Sequence, residues 1–363
     1  MKLIYRYLLG KLLLPLGCIL TGFTLLYVIY DMVDKSSDFI EHDFPAVAVF
    51  RYYALQLPSF LTLIIPAALL LGVLYSLARL SRHHEITAMR ATGISIYRLA
   101  GPYLVVGLVA SAATFLINER YAPDAAWRAE QLMAYHESDP DERSEVYFAA
   151  ALPLKLPRRN RDWFVERFDT RDYTMHGVTM TQQHPGGSAT EYETQRALWI
   201  DGRWWFMDVT VREFDADGNL KGAPEFALQK EMTRLTENPR DFLSVIKPTE
   251  FMSAAELRHY LRRNPQLSDE VRARKRTDLM HRLATPWVCV IVVLLGIPVG
   301  AHTGRQGVFA GVATTLLFFF GYYLCQLTGE ALAKKELLDP VAGAGAPVLI
   351  FLVIGAALVY RMR

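Results

Sequence analysis

The sequence holds little that could do chemistry. Of 363 residues only three are cysteines, Cys18, Cys289 and Cys325. All lie in apolar runs, far apart, with no CxxC or Cys/His spacing. That pattern argues against a disulfide framework or a zinc site and leaves buried thiols as the expectation. There is no GxxxxGK[ST], so the chain has no P-loop to cradle a nucleotide phosphate. GxSxG, HExxH and GxGxxG are missing too. The formal net charge is only +2, so no global field points to nucleic acid. The chain therefore reads as no enzyme, with no catalytic residue, metal or cofactor of its own.

Charge is also scarce in the places where a transporter driven by an ion gradient would need it. Six stretches are long enough to cross a bilayer, which takes about 20 residues of helix. They are Leu12–Tyr30, Tyr52–Leu77, Leu99–Ile117, Leu283–Ala301, Val308–Leu327 and Val341–Tyr360. Their cores contain almost no ionisable residue, which speaks against secondary transport. Pro15, Pro58, Pro66, Pro286 and Pro298 interrupt them, as kinks that either shape a cavity or hinge or do neither. The first stretch follows Lys2, Arg6 and Lys11, but no small-x-small cleavage site follows it. It reads as an uncleaved span.

Loop charge sets the expected orientation. Six spans put both termini on one side, with the segment Arg79–Arg98 and the loop 301–307. Basic residues there are Lys2, Arg6, Lys11, Arg79, Arg82, Arg90, Arg98, Arg305, Arg361 and Arg363, and the one acid is Glu85. The opposite side carries Asp31, Asp34, Asp38, Glu41 and Asp43 against Lys35 and Arg51. Both termini are therefore expected in the cytoplasm.

The middle of the chain is of another kind. Short runs such as EVYFAAALPLKL, DWFVERFD, YTMHGVTMTQQ, ETQRALWI, RWWFMDVTVREF and EFALQKEM alternate with period two. They predict strands, and Asp201-Gly202 and Asp217-Gly218 predict hairpin turns. An all-β sandwich, jelly roll or open barrel is expected outside the cytoplasm. Of Trp204-Trp205, one ring facing the core is a simpler role than a stacking platform. Helix returns at Ser253-Ala-Ala-Glu256, a capping box. A basic helix follows with Arg272, Arg274, Lys275, Arg276 and Arg282, which either meet lipid phosphates or form a solvated face. The expected divisions are 1–118 for spans one to three, 119–252 for the β domain, 253–282 for a helical connector and 283–363 for spans four to six.

Between spans two and three lies RLSRHHEITAMRATGISIYR. Ser81 as N-cap and Gly93 as stop predict a separate helix over 81–93. His83 and His84 are adjacent and point about 100° apart on a helix, so they do not converge on a metal. Ile86 and Met89 share a face and predict an apolar ridge that fits a partner's groove. Glu85 either meets a partner's arginine or pairs with Arg82 and the helix N-terminus.

These parts, in this order, resemble the LptF/LptG lipopolysaccharide-export permeases. The resemblance is carried by HEITAMRATGIS with the following RLAGP (residues 84–102), MSAAELRHYL (252–261) and HRLATPWVCVIVVLLGIPVGAHTGRQG (281–307), with support from Gly311, Tyr322-Tyr323 and LLDP at 337–340. It implies a membrane α-helical bundle of six transmembrane helices with an inserted all-β, jelly-roll-like periplasmic domain. It implies an inner-membrane permease that extracts lipopolysaccharide laterally and passes it through the β domain to an LptA-type periplasmic bridge. The implied partners are a sister permease, an LptC-type single-span protein and an LptB-type cytoplasmic ATPase dimer, which would hold the ATP and Mg. Glu85 falls at the family's coupling-helix acid, and Ile86, Met89 and Arg90 accompany it. Members of the G type carry several lysines after span one. Here YDMVDK leans that way, but Lys35 is alone among acids. Lys35, Arg120, Arg128 and the Arg272–Arg276 cluster are the candidates for lipid phosphates. Divalent cations bridging Asp31, Asp34 and Asp38 are the alternative. The other class of function left open is a non-transporting scaffold or receptor that presents its β domain to partners.

Overall fold

The computed structural model describes residues 2–138, 147–156, 160–233, 235–264, 267–302 and 308–362. Arg305 and Arg363, which entered the charge argument, lie outside the described residues. The chain divides into two compact units, Met1–Ala129 with Thr249–Arg363, and Glu130–Pro248.

The first unit is helical. It holds α1 (Lys2–Asp34), α2 (Ser36–Glu41), α3 (Ala46–Arg82), α4 (Glu85–Ala91) and α5 (Ile96–Leu116). A π-helical turn, Ile117–Tyr121, leads into α6 (Ala122–Glu137). After the β unit and its helix α7 (Pro239–Ile246) come α8 (Ala254–Arg263), α9 (Asp269–Ala284), α10 (Val288–His302), α11 (Val308–Lys334) and α12 (Pro340–Tyr360). Among the described residues six helices are long and apolar enough to cross a membrane. They are Leu3–Asp34, Ala46–Arg82, Tyr97–Glu137, Asp269–Gly300, Val312–Lys334 and Pro340–Tyr360. Pro58 and Pro66 stay inside α3 without breaking it. Spans two and four form the interior, with 61% and 67% of their most apolar stretch buried, while span one has 6%.

Close approach of backbones builds this interior. A Cβ at Gly296 would lie 3.0 Å from Val73, and one at Gly300 2.6 Å from Leu77, so α10 lies directly against α3. Lipid tails are as apolar as leucine, so helices associate in a bilayer through such close contacts rather than by expulsion of water. Of the cysteines only Cys289 is buried; Cys18 and Cys325 are exposed on α1 and α11. The expectation of three buried thiols fails at two positions because an apolar residue in a span can face outwards as readily as inwards.

The second unit is built on one antiparallel sheet. β1 (Phe148–Leu156), β2 (Arg161–Asp169), β3 (Met175–Gln183), β4 (Ala189–Ile200), β5 (Arg203–Phe214) and β6 (Glu225–Met232) lie in sequence order. Asp201 and Gly202 both have positive φ, 51° and 77°, as the tight β4–β5 hairpin requires. No crossover joins non-neighbouring strands among the described residues. The ladder skips one row across the sheet: Glu166, Gly177, Gln195, Asp208 and Leu228. Gly177 and Asp208 in that row have φ of +59° and +54°. Inward-facing positions slip by one residue there, from Phe206 to Val209 on β5 and from Met175 to Val178 on β3. The row is a crease that lets both halves of each strand point apolar side chains into one core. Phe242 of α7 fills that core, its ring centroid 5.2 Å from Trp163 and 5.9 Å from Trp204. Trp204 is fully buried and Trp205 is its outward neighbour, so one ring of the pair serves the core. Below them Arg161 Nη1 donates to both oxygens of buried Glu237 at 3.1 Å, and Trp204 Nε1 donates to the Glu237 carbonyl at 2.7 Å.

Candidate functional site

The segment between spans two and three folds as a corner, a short helix and a stop. α3 continues through Ser81 to Arg82, so Ser81 lies within a helix and does not cap the next one. The turn falls at His83-His84 instead. His84 has φ +58°, in the left-handed region that histidine enters more readily than most residues. The helical pattern RLSRHH carries no breaker before this point, which explains the extension of α3. Glu85 opens α4, and Ala88 N–H donates to the His84 carbonyl at 2.9 Å. At the other end Gly93 has φ +84°. Its N–H donates to Arg90 O at 2.9 Å, and Ile94 N–H donates to Met89 O at 3.3 Å. This double bond pattern is a Schellman stop, which needs a residue at ease with positive φ.

Ile86 is 6% exposed and joins Leu8, Leu77, Leu80 and Leu99 in the main apolar core, with Met89 packed against it. The Ile86/Met89 ridge therefore faces its own bundle. The i, i+3 spacing showed that the two share a face but not which neighbour that face meets. Thr87, Ala88, Arg90 and Ala91 are the exposed residues of α4. Glu85 is half-buried at the edge. Its Oε2 accepts a hydrogen bond of 2.7 Å from the Tyr7 hydroxyl of α1. Neither a partner's arginine nor Arg82 is needed to explain the position of that oxygen.

The other candidates lie elsewhere in the helical unit. Lys35 caps α1's last turn: its ammonium bonds the Tyr52 hydroxyl, stands 4.6 Å from the Tyr52 ring centroid and lies 3.9 Å from Asp31. Arg120, in the π-helical turn, and Arg128, on α6, are exposed. On α9, Arg272 is paired with Asp269 at 3.2 Å and Arg274 with Glu270 at 2.6 Å. Lys275 lies over the Tyr260 ring at 5.4 Å, and Arg276 is exposed. Four of these seven cations are thus engaged within the chain. Among the described residues no group of three or more His, Cys, Asp or Glu side chains could hold a metal ion.

Two polar clusters had no sequence signal. Glu119, beside Arg120, accepts the backbone N–H groups of Ala254 and Ala255 at 3.0 and 2.8 Å. It so caps α8 together with the Ser253/Glu256 box, whose two bonds are 2.7 and 3.2 Å. Within the spans, His281 of α9 pairs with Glu330 of α11, and buried Gln326 donates to Glu330 at 3.1 Å. Lys334 and Asp278 pair at 2.9 Å one turn away. The ion-paired partners of α9 and α11 stand more than 45 residues apart in sequence.

A family model, "Lipopolysaccharide export system permease LptF/LptG", matches residues 6–361. The chain belongs to the LptF/LptG family. It is similar to the lipopolysaccharide export system permease protein LptF of Escherichia coli K12, with 23% identity over 370 residues, 98% of this chain and 94% of the relative. The LptF of Shigella flexneri matches over the same shares at the same identity. These relatives are LptF proteins and lend no support to the lean of YDMVDK towards the G type. As an LptF/LptG permease the chain is a multi-pass protein of the inner membrane and part of the lipopolysaccharide export system, and the family is one of permeases rather than enzymes.

Proposed function

We propose that this permease is one transmembrane half of a lipopolysaccharide extractor driven from the cytoplasm by a separate LptB-type ATPase dimer. The observation that carries the reading is α4, a seven-residue helix between spans two and three with its apolar face buried and Arg90 outward. It offers a polar surface to a partner and a rigid joint to the bundle, in a chain without a phosphate-binding loop of its own. ATP and Mg belong to that partner. A sister permease completes the lipid cavity, an LptC-type helix stands at its gate, and an LptA-type bridge receives the lipid. The positive-inside distribution supports a cytoplasmic side for both termini and α4 and a periplasmic side for the β unit.

Glu85, at the rim of α4, and Arg90 make the polar contacts with the ATPase, while Ile86 and Met89 hold α4 to the bundle. For the anionic lipid headgroup, Arg120, Arg128 and Arg276 carry most of the phosphate contact. Lys35, Arg272, Arg274 and Lys275 must first loosen their internal partners. The test is co-purification of the detergent-solubilised permease pair with its ATPase. The ATPase is expected to be retained by the native chain and largely lost with Glu85→Lys or Arg90→Glu. Full retention and normal export in both variants would remove α4 from the coupling role.

A further inference from the structure

α1 is the outlier of the bundle. Its long apolar face is exposed along the span. Further along, it packs through Leu16, Leu20 and Phe23 against Phe60, Ile64 and Ala68 of α3. At its start it meets α4, to which no short linker ties it, because the whole of α3 intervenes. Two adjacent residues make that meeting. Leu8, 1% exposed, shares the apolar cleft of Ile86. Tyr7, 41% exposed, sends its hydroxyl to Glu85. Lys11, one turn on, lies 5.1 Å from the Tyr7 ring centroid, within cation–π range.

We propose that Tyr7 is a positioning residue for energy coupling, tying span one to the coupling helix through Glu85. α3 and α5 follow α4 because they are covalently joined to it through short turns. α1 packs along α3, and the contact through Tyr7 and Leu8 is its direct tie to α4. The apolar part, Leu8 on Ile86, is non-directional and permits sliding. The hydroxyl–carboxylate bond is directional and charge-assisted, so it fixes the angle at which α1 and α4 move together. It also orients Glu85 while leaving acceptor capacity on the carboxylate for a partner's donor. This inference rests on the proposed role of α4.

The test is Tyr7→Phe, which keeps the ring over Lys11 and removes one oxygen. The first arm needs no ATPase. Hydrogen exchange of the full-length permease pair in nanodiscs should speed up in the peptides covering α4 and the start of α1, with no change in α11–α12. Unchanged exchange would overturn the contact. The second arm uses the complex with ATPase and measures lipopolysaccharide extracted per ATP hydrolysed. ATP hydrolysis should stay within about twofold. The extraction ratio should fall about tenfold, the scale set by one hydrogen bond to a charged group, and adding Tyr7→Phe to Glu85→Gln should lower it no further than Glu85→Gln alone. Faster exchange with an unchanged ratio would make the bond merely structural and sink the proposal. If the native pair fails to hold the ATPase, the proposed function of α4 fails, and the first arm still decides whether the contact exists.

Discussion

In the helical unit many large apolar side chains face outwards and helix backbones touch at glycines; in the β unit a cluster of aromatic rings faces inwards and fills one core. Leu317, Phe320 and Leu349 are 64–73% exposed on α11 and α12. The same two helices meet where a Cβ at Gly329 would fall 2.2 Å from the Gly343 carbonyl oxygen. The β unit buries Trp163, Trp204, Phe168, Phe206 and Phe242 almost completely. The difference follows from the solvent. Water drives aromatic area into a core at roughly 25 cal/mol per Å², whereas lipid does not, and only tight contact and hydrogen bonds distinguish one apolar neighbour from another.

The sharpest way to break the comparison is Gly343→Leu. Its first carbon would meet Gly329 O and the Ala333 Cβ, each at 2.6 Å. Backbone cannot swing aside as a rotamer can, so the cost should exceed the roughly 1–3 kcal/mol of ordinary overpacking and separate α11 from α12. Thermal unfolding of the full-length protein in detergent should show a large loss. Gly345→Ala, two residues on with nothing within 4 Å, is the control and should change little. Equal losses in both would mean that the Gly329 contact does not set the effect, since helix propensity favours both replacements.

The second region breaks by loss of volume. Phe242→Ala empties the centre of the Trp163, Phe168 and Trp204 cluster and should cost about 3–5 kcal/mol. Hydrogen exchange should localise the loss to residues 130–248 and leave the peptides of α3 and α10 protected. Loss of protection in both units together would show one cooperative structure and blur the distinction.

How much of each region was legible follows from the same physics. Period-two alternation located all six strands, because the β unit has a wet face and a dry one. The phase slip was written as well, in the step from Trp204 and Phe206 to Val209 and Val211, but a pattern read for strand content passes over a one-residue shift. In the bundle, length and hydropathy found every span, yet could not tell inward from outward residues. That ambiguity misassigned Cys18 and Cys325 and turned the Ile86/Met89 ridge the wrong way. The bond from Tyr7 to Glu85 crosses 78 residues, and His281 with Glu330 crosses a loop outside the described residues. No local pattern encodes such pairs. Family resemblance singled out Glu85 as a position while remaining silent on what holds it.

The smallest expected effect separates the units by pH. Asp169 closes β2 and is 7% exposed at its side chain. Burial works against its carboxylate. Hydrogen bonds from the Arg171 guanidinium and backbone N–H, each 2.8 Å, outweigh that penalty and hold its pKa below the usual value. A depressed carboxylate pKa stabilises the folded state above the unfolded value, about 3.9, and the contribution is lost as pH falls through the folded pKa. Arg171 is more than half exposed, so solvent screening limits the pair to less than about 1 kcal/mol. Exchange of β2 and β3 peptides, corrected for intrinsic rates, should lose protection as pH falls below about 4. Asp169→Asn should flatten that dependence and lower neutral-pH protection to about the level the native chain keeps in acid. A native pH profile in Asp169→Asn would take the acid sensitivity away from Asp169.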